Sequence, residues 1–351
     1  MADTGSSRLS RARASGSCYV IAEAGSNHNR EWDLATALVD SAAEAAADAV
    51  KFQLFRADRM YPRGAGAADY LGNDEDIYEV VARMELPEEW LPGLAARCGE
   101  RGLDFLVTPF DEGSADAIEP FVPAYKIASY ELTHEPLIRH VAAKHKPMII
   151  STGASTPEEI GAALAAARDA GAGDIILLQC TASYPARLEA LNVASIADLR
   201  RRFGLPVGLS DHSADPVIAP VLAVGFGAAV IEKHFTLDRA LPGPDHAFAL
   251  EPAELRRLVE AVRAAEQARG DEGVKVVHPD EQELRDFARR SVFAVRDVAA
   301  GEALERSALA VLRHGKRGEG LPPSAFESLV GRRAVRSIAA GSPVTAADVE
   351  T

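Results

Sequence analysis

Eight short apolar runs in this chain end in residues that can bind anions, metals or protons. The first ends in Ala22-Glu23-Ala24-Gly25-Ser26-Asn27-His28-Asn29. The next ends carry Lys51 and Gln53, then Thr108, then Lys126, Ser129 and Glu131, then Ser151 and Thr152. The last three bring Thr181, Ser183 and Tyr184, then Ser210, Asp211 and His212, then Glu232, Lys233 and His234. Taken singly, a strand-end Ser or Thr usually caps the following helix, and Lys51 or Lys126 could simply pair with Glu23 or Glu131. Taken together they can build an anion site. A lysine is a charged donor and a hydroxyl bonds directionally to phosphate oxygens, so Lys51, Lys126, Ser129, Ser151 and Ser210 are read as converging donors. His212 and His234 end consecutive runs and are read as two imidazoles for one first-row divalent cation, with water or carboxylates completing the shell. Gly243-Pro244-Asp245-His246 favours a turn, and Asp245 could hold a hydroxyl or a metal-bound water there.

The runs must be positioned by regular structure. They span Cys18–Ala24, Asp48–Phe55, Asp104–Phe110, Tyr125–Glu131, Pro147–Gly153, Asp174–Thr181, Pro206–His212 and Ala229–Thr236. Between them lie amphipathic segments of helical period, such as Trp32–Ala47, Pro87–Arg101, Pro136–Lys144, Thr156–Gly171 and Asn192–Phe203. Strand alternating with helix predicts a parallel sheet. Eight strands over about 220 residues match a closed (β/α)8 barrel, whose chemistry sits at the C-terminal strand ends. No GxGxxG follows the first run, which disfavours an open dinucleotide-binding sheet.

The predicted organisation is a disordered lead-in over 1–17, a TIM-barrel domain over 18–270, a polar linker over 271–288 and a small β-rich domain over 289–351. The last contains a repeat: Ala294-Val-Arg-Asp-Val-Ala-Ala-Gly301 returns as Ala334-Val-Arg-Ser-Ile-Ala-Ala-Gly341. A net charge of −14 argues against a nucleic-acid partner. Only three cysteines, with no CxxC, suit a reducing compartment rather than a disulfide scaffold. No window reads as a signal peptide or a membrane span, so the expected location is the cytoplasm.

Several of these segments are more specific than their residue types. Ile21-Ala-Glu-Ala-Gly-Ser-Asn-His-Asn29, Asp48-Ala-Val-Lys-Phe-Gln53, Thr108-Pro-Phe110 and Tyr125-Lys-Ile-Ala-Ser-Tyr-Glu131 resemble the sialic acid (nonulosonic acid) synthase family. So do Ser151-Thr-Gly153, Cys180-Thr-Ala-Ser-Tyr-Pro185, Gly208-Leu-Ser-Asp-His212, Glu232-Lys-His-Phe-Thr236 and Pro242-Gly-Pro-Asp-His246. The C-terminal repeat is similar to that family's antifreeze-like (SAF-type) domain.

The resemblance implies condensation of phosphoenolpyruvate with an open-chain N-acylated hexosamine, N-acetylmannosamine or a diacetamido-trideoxyhexose. The product would be a nine-carbon 2-keto acid, with phosphate released by C–O cleavage. It implies Mn2+, with Mg2+ or Co2+ as alternatives, on His212 and His234. Lys51, Thr108, Lys126, Ser129, Ser151 and Ser210 match phosphoenolpyruvate-binding positions. Glu23, Gln53, Tyr184, Asp245, Phe287 and Arg313 match sugar-binding positions, and Glu131, Lys51 and Glu23 match catalytic ones. Phe287 and Arg313 would reach the site of a partner in a domain-exchanged homodimer. The chain departs from the family pattern at Arg30, at Ala182 and after Arg313, where Arg317 is an alternative to Arg313. Rival readings are the same chemistry on a neutral sugar or nucleoside aldehyde, a Schiff-base aldolase using Lys126 or Lys51, and an inactive sugar-binding protein.

Overall fold

The computed structural model describes residues 7–68, 74–270 and 273–350. Two compact units divide the chain, Met1–Asp271 and Glu272–Thr351. The first is a parallel barrel of β1 (Tyr19–Gly25), β2 (Ala49–Leu54), β3 (Asp104–Pro109), β4 (Tyr125–Ile127), β5 (Met148–Ser151), β6 (Ile175–Cys180), β7 (Val207–Asp211) and β8 (Val230–His234). Its strand order is β3-β2-β1-β8-β7-β6-β5-β4, and β3 lies beside β4 to close the ring. The expected TIM barrel is therefore the observed one.

Strand alternation explains why these residues build this barrel. Odd and even positions face opposite sides of a strand. Val20, Val50, Phe105, Tyr125, Ile150, Leu177, Leu209 and Ile231 face outward and pack under the surrounding helices. Tyr19, Ile21, Ala49, Leu106, Ala124, Ile149, Ile176, Leu178 and Val230 fill the interior. Two helices of the outer ring, Glu112–Ile118 and Ile218–Gly225, carry no helical signal in the sequence reading. The second is apolar on almost every side, so it shows no amphipathic period.

The lead-in is corrected by the structure. Arg8–Ser15 forms a helix, α1, capped by Ser7 and ended by Gly16 in the left-handed region. Only Leu9 and Ala12 are buried, so hydrophobic periodicity could not reveal it. Polar groups hold it instead. Asp104 accepts from the backbone N–H of Arg8 at 3.1 Å and of Leu9 at 3.0 Å, and Arg8 and Arg13 pair with Asp48 and Asp174. These carboxylates stand at or just before the starts of β3, β2 and β6, so α1 closes the N-terminal end of the barrel, with Leu9 in the interior cluster. Positions 1–6 of the lead-in, 271 and 272 of the linker, and 351 lie outside the described residues.

The second unit carries a helix at Gln282–Ala288, inside the stretch read as linker. β9 (Arg290–Ala294) pairs antiparallel with β10 (Leu309–Arg313). The sequence repeat becomes a pseudo-twofold. Gly301 N–H donates to Ala334 O at 2.6 Å and Gly341 N–H to Ala294 O at 2.8 Å, while Val298 and Ile338 exchange two bonds of 2.9 Å. Both glycines have positive φ, +83° and +75°, which a side chain would strain.

Candidate active site

One register rule builds the site. In every strand the residue two places after an inward-facing core residue again faces inward, one layer nearer the C-terminal end. Ile21, Ala49, Leu106, Ala124, Ile149, Leu178, Gly208 and Val230 are thus followed by Glu23, Lys51, Thr108, Lys126, Ser151, Cys180, Ser210 and Glu232. All eight are buried. The barrel interior changes there from apolar to a ring of charge and hydroxyl.

Within the ring, Lys51 donates to Thr108 Oγ1 at 2.9 Å and pairs with Glu23 at 2.7 Å. Gln53 Nε2 donates to the other oxygen of Glu23 at 2.8 Å. Lys126 donates to Ser151 Oγ at 2.7 Å and to Ile127 O at 3.1 Å. Glu232 lies between the lysines, 3.8 Å from Lys51 and 3.6 Å from Lys126, and accepts from Ser210 at 3.1 Å. Burial pushes the Lys126 ammonium down and Glu232 opposes that shift. Burial raises Glu23 against the pull of Lys51. In Glu232 burial pushes the carboxyl up, and Lys126, Lys51, the Ser210 hydrogen bond and His212 together hold it low. Two of the five donors expected to bind an anion, Lys126 and Ser151, therefore touch directly, and Ser210 is linked to them through Glu232.

The strand read over Tyr125–Glu131 is shorter than expected. β4 stops at Ile127, and Ser129–Thr133 is a 3₁₀ turn. The turn brings Ser129 Oγ to 3.0 Å from Gly153 N, which donates to it. A side chain at Gly153 would meet Ser129 Oγ at 2.8 Å, Cys180 Sγ at 3.0 Å and Ala182 Cβ at 3.2 Å. The same turn carries Glu131, whose Oε2 is buried without a hydrogen-bond partner. Burial pushes its carboxyl up to about 7, partly offset by a backbone hydrogen bond and by Lys126. Tyr61 and Tyr130, given no role from sequence, have phenols raised by burial. The charge of Glu131 adds to the shift in Tyr61, and in Tyr130 Cys180 adds ahead of Tyr61 and Glu131.

His212 and His234 project from neighbouring strand ends, with ring centroids 5.5 Å apart. Tyr184 stacks on His212 at 4.2 Å and Phe248 sits 5.3 Å from both Tyr184 and His234. No strand pattern marks Phe248, which comes from the loop after β8. Lys233, between the two inward positions, faces out and pairs with Asp211 at 2.6 Å.

The two imidazoles suit a divalent cation. Burial lowers His212 to about 4, against the hydrogen bond to Thr181, and lowers His234 well below its ordinary value, so both rings are neutral. His212 Nδ1 lies 2.9 Å from Thr181 O. A carbonyl only accepts, so the proton is on Nδ1 and the Nε2 lone pair is free to ligate. His234 Nδ1 is buried with no hydrogen-bond partner, 3.8 Å from Asp245 Oδ2. Among the described residues no three His, Cys, Asp or Glu side chains converge on one point, so water and substrate oxygens would complete a shell. Asp245 is itself pushed up to about 7 by burial and by Glu23, and the position of a Cβ on Gly25 would lie 3.3 Å from its Oδ2 and 3.5 Å from Glu23 Oε1. Glu23, Gln53 and Asp245 therefore form one polar wall.

Phe287 and Arg313 belong to the second unit. The Phe287 ring lies over Gly315, 3.8 Å from where its Cβ would be, and Arg313 ends β10 exposed. Arg317, the alternative, is exposed in the short turn Gly315–Arg317.

Comparison with known proteins agrees with this arrangement. Residues 38–274 match the NeuB family and 289–350 the SAF domain. The spore coat polysaccharide biosynthesis protein SpsE of Bacillus subtilis is 43% identical, covering 94% of this chain and 93% of its own. An N,N'-diacetyllegionaminic acid synthase of Legionella pneumophila is 39% identical, covering 93% and 92%. The crystal structure of an N-acetylneuraminic acid (sialic acid) synthetase from Leptospira borgpetersenii, in complex with citrate, superposes with a TM-score of 0.69 at 31% identity, over 77% of this chain and 90% of that one. The NeuB match over residues 38–274, with relatives 43% and 39% identical along nearly the whole chain, makes the chain a member of the NeuB family.

Proposed function

We propose that this protein is a nonulosonic acid synthase, joining phosphoenolpyruvate to an open-chain N-acylated hexosamine and releasing phosphate. The observation that carries the reading is the buried ring, where Lys51, Lys126, Thr108, Ser151 and Ser210 line the same barrel end from which the two neutral imidazoles project. The relative from Legionella pneumophila, named as an N,N'-diacetyllegionaminic acid synthase, supports a diacetamido-trideoxyhexose ahead of N-acetylmannosamine. A neutral sugar or nucleoside aldehyde is the second reading.

In this scheme Lys51, Lys126 and the hydroxyls of Thr108, Ser129, Ser151 and Ser210 bind the phosphate and carboxylate of phosphoenolpyruvate. Glu23, Gln53 and Asp245 accept or donate to the sugar hydroxyls, and Tyr184 flanks the aldehyde. His212 and His234 would hold Mn2+, or Mg2+ or Co2+ in its place, which when bound supplies Lewis acidity for a carbonyl. C3 of phosphoenolpyruvate attacks the aldehyde carbon. The C=O π pair passes to the aldehyde oxygen, which takes a proton to become a hydroxyl, and positive charge is left at C2. Glu131, buried and unpaired on one oxygen, steadies that charge or takes the proton of the water that adds there. The tetrahedral intermediate then expels phosphate with its bridging oxygen.

The chain is proposed to work as a domain-exchanged homodimer in which Phe287 and Arg313, or Arg317, complete a partner's sugar site. Val274, Val276, Val277, Leu284 and Phe287 are all exposed at the start of the second unit, apolar surface that another subunit would cover. Among the described residues no helix is long and apolar enough to cross a membrane. The cytoplasm is the proposed location, supported by three buried free cysteines. The test is phosphate release from phosphoenolpyruvate with Mn2+ and a panel of N-acetylated hexosamines, including diacetamido-trideoxyhexoses. Release with none of them overturns the reading.

A further inference from the structure

Two carboxylates face the lysines of the ring, and they are held very differently. Glu23 is fixed by contacts of 2.7 and 2.8 Å to Lys51 and Gln53. Glu232 makes one hydrogen bond, from Ser210 at 3.1 Å, and meets both lysines beyond hydrogen-bonding distance, at 3.6 and 3.8 Å. Neither Glu23 Oε2 nor Glu232 Oε2 has a hydrogen-bond partner, but the first has the Lys51 ammonium at 2.7 Å and the second only at 3.8 Å. The short bonds of the lysines go to Thr108 and Ser151. Glu232 is therefore gripped by charge and by one hydroxyl, while one of its oxygens is left unsatisfied, an arrangement that costs free energy in a buried site.

The groups around Glu232 are those to which the proposed function assigns the phosphate. We infer that Glu232 is an internal competitor of the phosphate group, engaging Lys51, Lys126 and Ser210 with its carboxylate and yielding them when a phosphate arrives. The inference rests on the proposed phosphoenolpyruvate reading of the ring. Charge supports it. Lys51 and Lys126 each already face a carboxylate, Glu23 or Glu232, so an arriving phosphate must compete with one of them for the ammoniums. Glu23 is pinned by Gln53 and Glu232 is not. A phosphate offers more oxygens to the same donors than a carboxylate and can satisfy hydroxyls and ammoniums together. The competition weakens phosphate binding, and so speeds the departure of inorganic phosphate after C–O cleavage. Glu232 acts through the lysines and Ser210, which makes it a positioning residue.

The test compares the metal-loaded, full-length wild type with Glu232→Gln and Glu232→Asp. Inorganic phosphate is titrated calorimetrically, and KM and kcat for phosphoenolpyruvate are measured separately. Removing the charge in Glu232→Gln should tighten phosphate binding and lower KM by at least about fivefold, while kcat falls because phosphate leaves slowly. Glu232→Asp keeps the charge and should stay within about twofold of wild type in phosphate affinity. A purely structural prop for the lysines would give the opposite sign, with weaker phosphate and higher KM in Glu232→Gln. That result overturns the inference, as does tightening in Glu232→Asp, an arm that decides the matter alone if the glutamine variant proves poorly folded. Wild type that binds phosphate, with no tightening in Glu232→Gln, overturns the inference alone. Wild type that neither binds phosphate nor turns over phosphoenolpyruvate overturns the site reading beneath it as well.

Discussion

Glu131 joins stability and catalysis in one titration, and its replacement by glutamine tests both. Burial pushes its carboxyl from an ordinary 4.5 to about 7. The folded chain thus holds this proton more tightly than the unfolded chain does. The group's stabilising contribution is complete below about pH 4.5 and is lost as pH rises through about 7. The displacement corresponds to about 3 kcal/mol at most. Glutamine is neutral at every pH and nearly the same shape. Glu131→Gln should therefore match wild type in stability at about pH 4.5 and exceed it at pH 8, by up to about 3 kcal/mol. Urea unfolding at the two pH values measures this. In activity, an ionised Glu131 acting on water gives a rise in kcat/KM through about pH 7, with roughly tenfold less activity at pH 6 than on the plateau. Glu131→Gln should lose about 100-fold or more in kcat and that inflection with it. Equal stability differences at pH 4.5 and 8 would refute the burial argument. An unchanged pH profile in the variant would refute the catalytic one.

Three other outcomes follow from the geometry. Gly153→Ala brings a Cβ to 2.8 Å from Ser129 Oγ and 3.0 Å from Cys180 Sγ, so it should cost about 1–3 kcal/mol of stability and raise KM for phosphoenolpyruvate; wild-type melting and KM would show that the pocket yields freely. His212→Ala should abolish phosphate release, and EDTA should silence wild type until Mn2+ is restored; a near-wild-type rate in the variant would remove the metal assignment. Asp104→Ala deletes the carboxylate that accepts from Arg8 N, Leu9 N and Tyr19 OH. It should lower stability by about 3 kcal/mol or more while leaving KM for phosphoenolpyruvate within about twofold, because it lies at the opposite end of the barrel. Unchanged urea unfolding would mean that α1 is not held this way.

Much of the barrel was legible because strand and helix declare themselves through hydrophobic period. The polar strand ends were legible for the same reason, since each interrupts an apolar run. Elements held by polar contacts were not legible. Helix α1 has two buried side chains, too few to set a period, and its docking depends on carboxylates about 40 to 160 residues away. Ser129–Glu131, the end of the run read as strand over Tyr125–Glu131, instead turns, carrying Ser129 to Gly153. Ile218–Gly225 is uniformly apolar and so carries no directional signal.

Glu232 marks the boundary most clearly. Its place in the ring follows from alternation alone, two residues after Val230 and two before His234, so it must share their face. The register of all eight inward positions was settled in the same way by the order of residues along each strand. What Glu232 does there depends on closure. Lys51, Lys126 and Ser210 come from β2, β4 and β7, and only the curvature of the ring brings them to one carboxylate. Burial is likewise a property of the closed barrel. It neutralises His212 and His234 and raises Glu131 and Asp245, because a charge loses its water only when the surrounding strands, loops and helices have assembled around it.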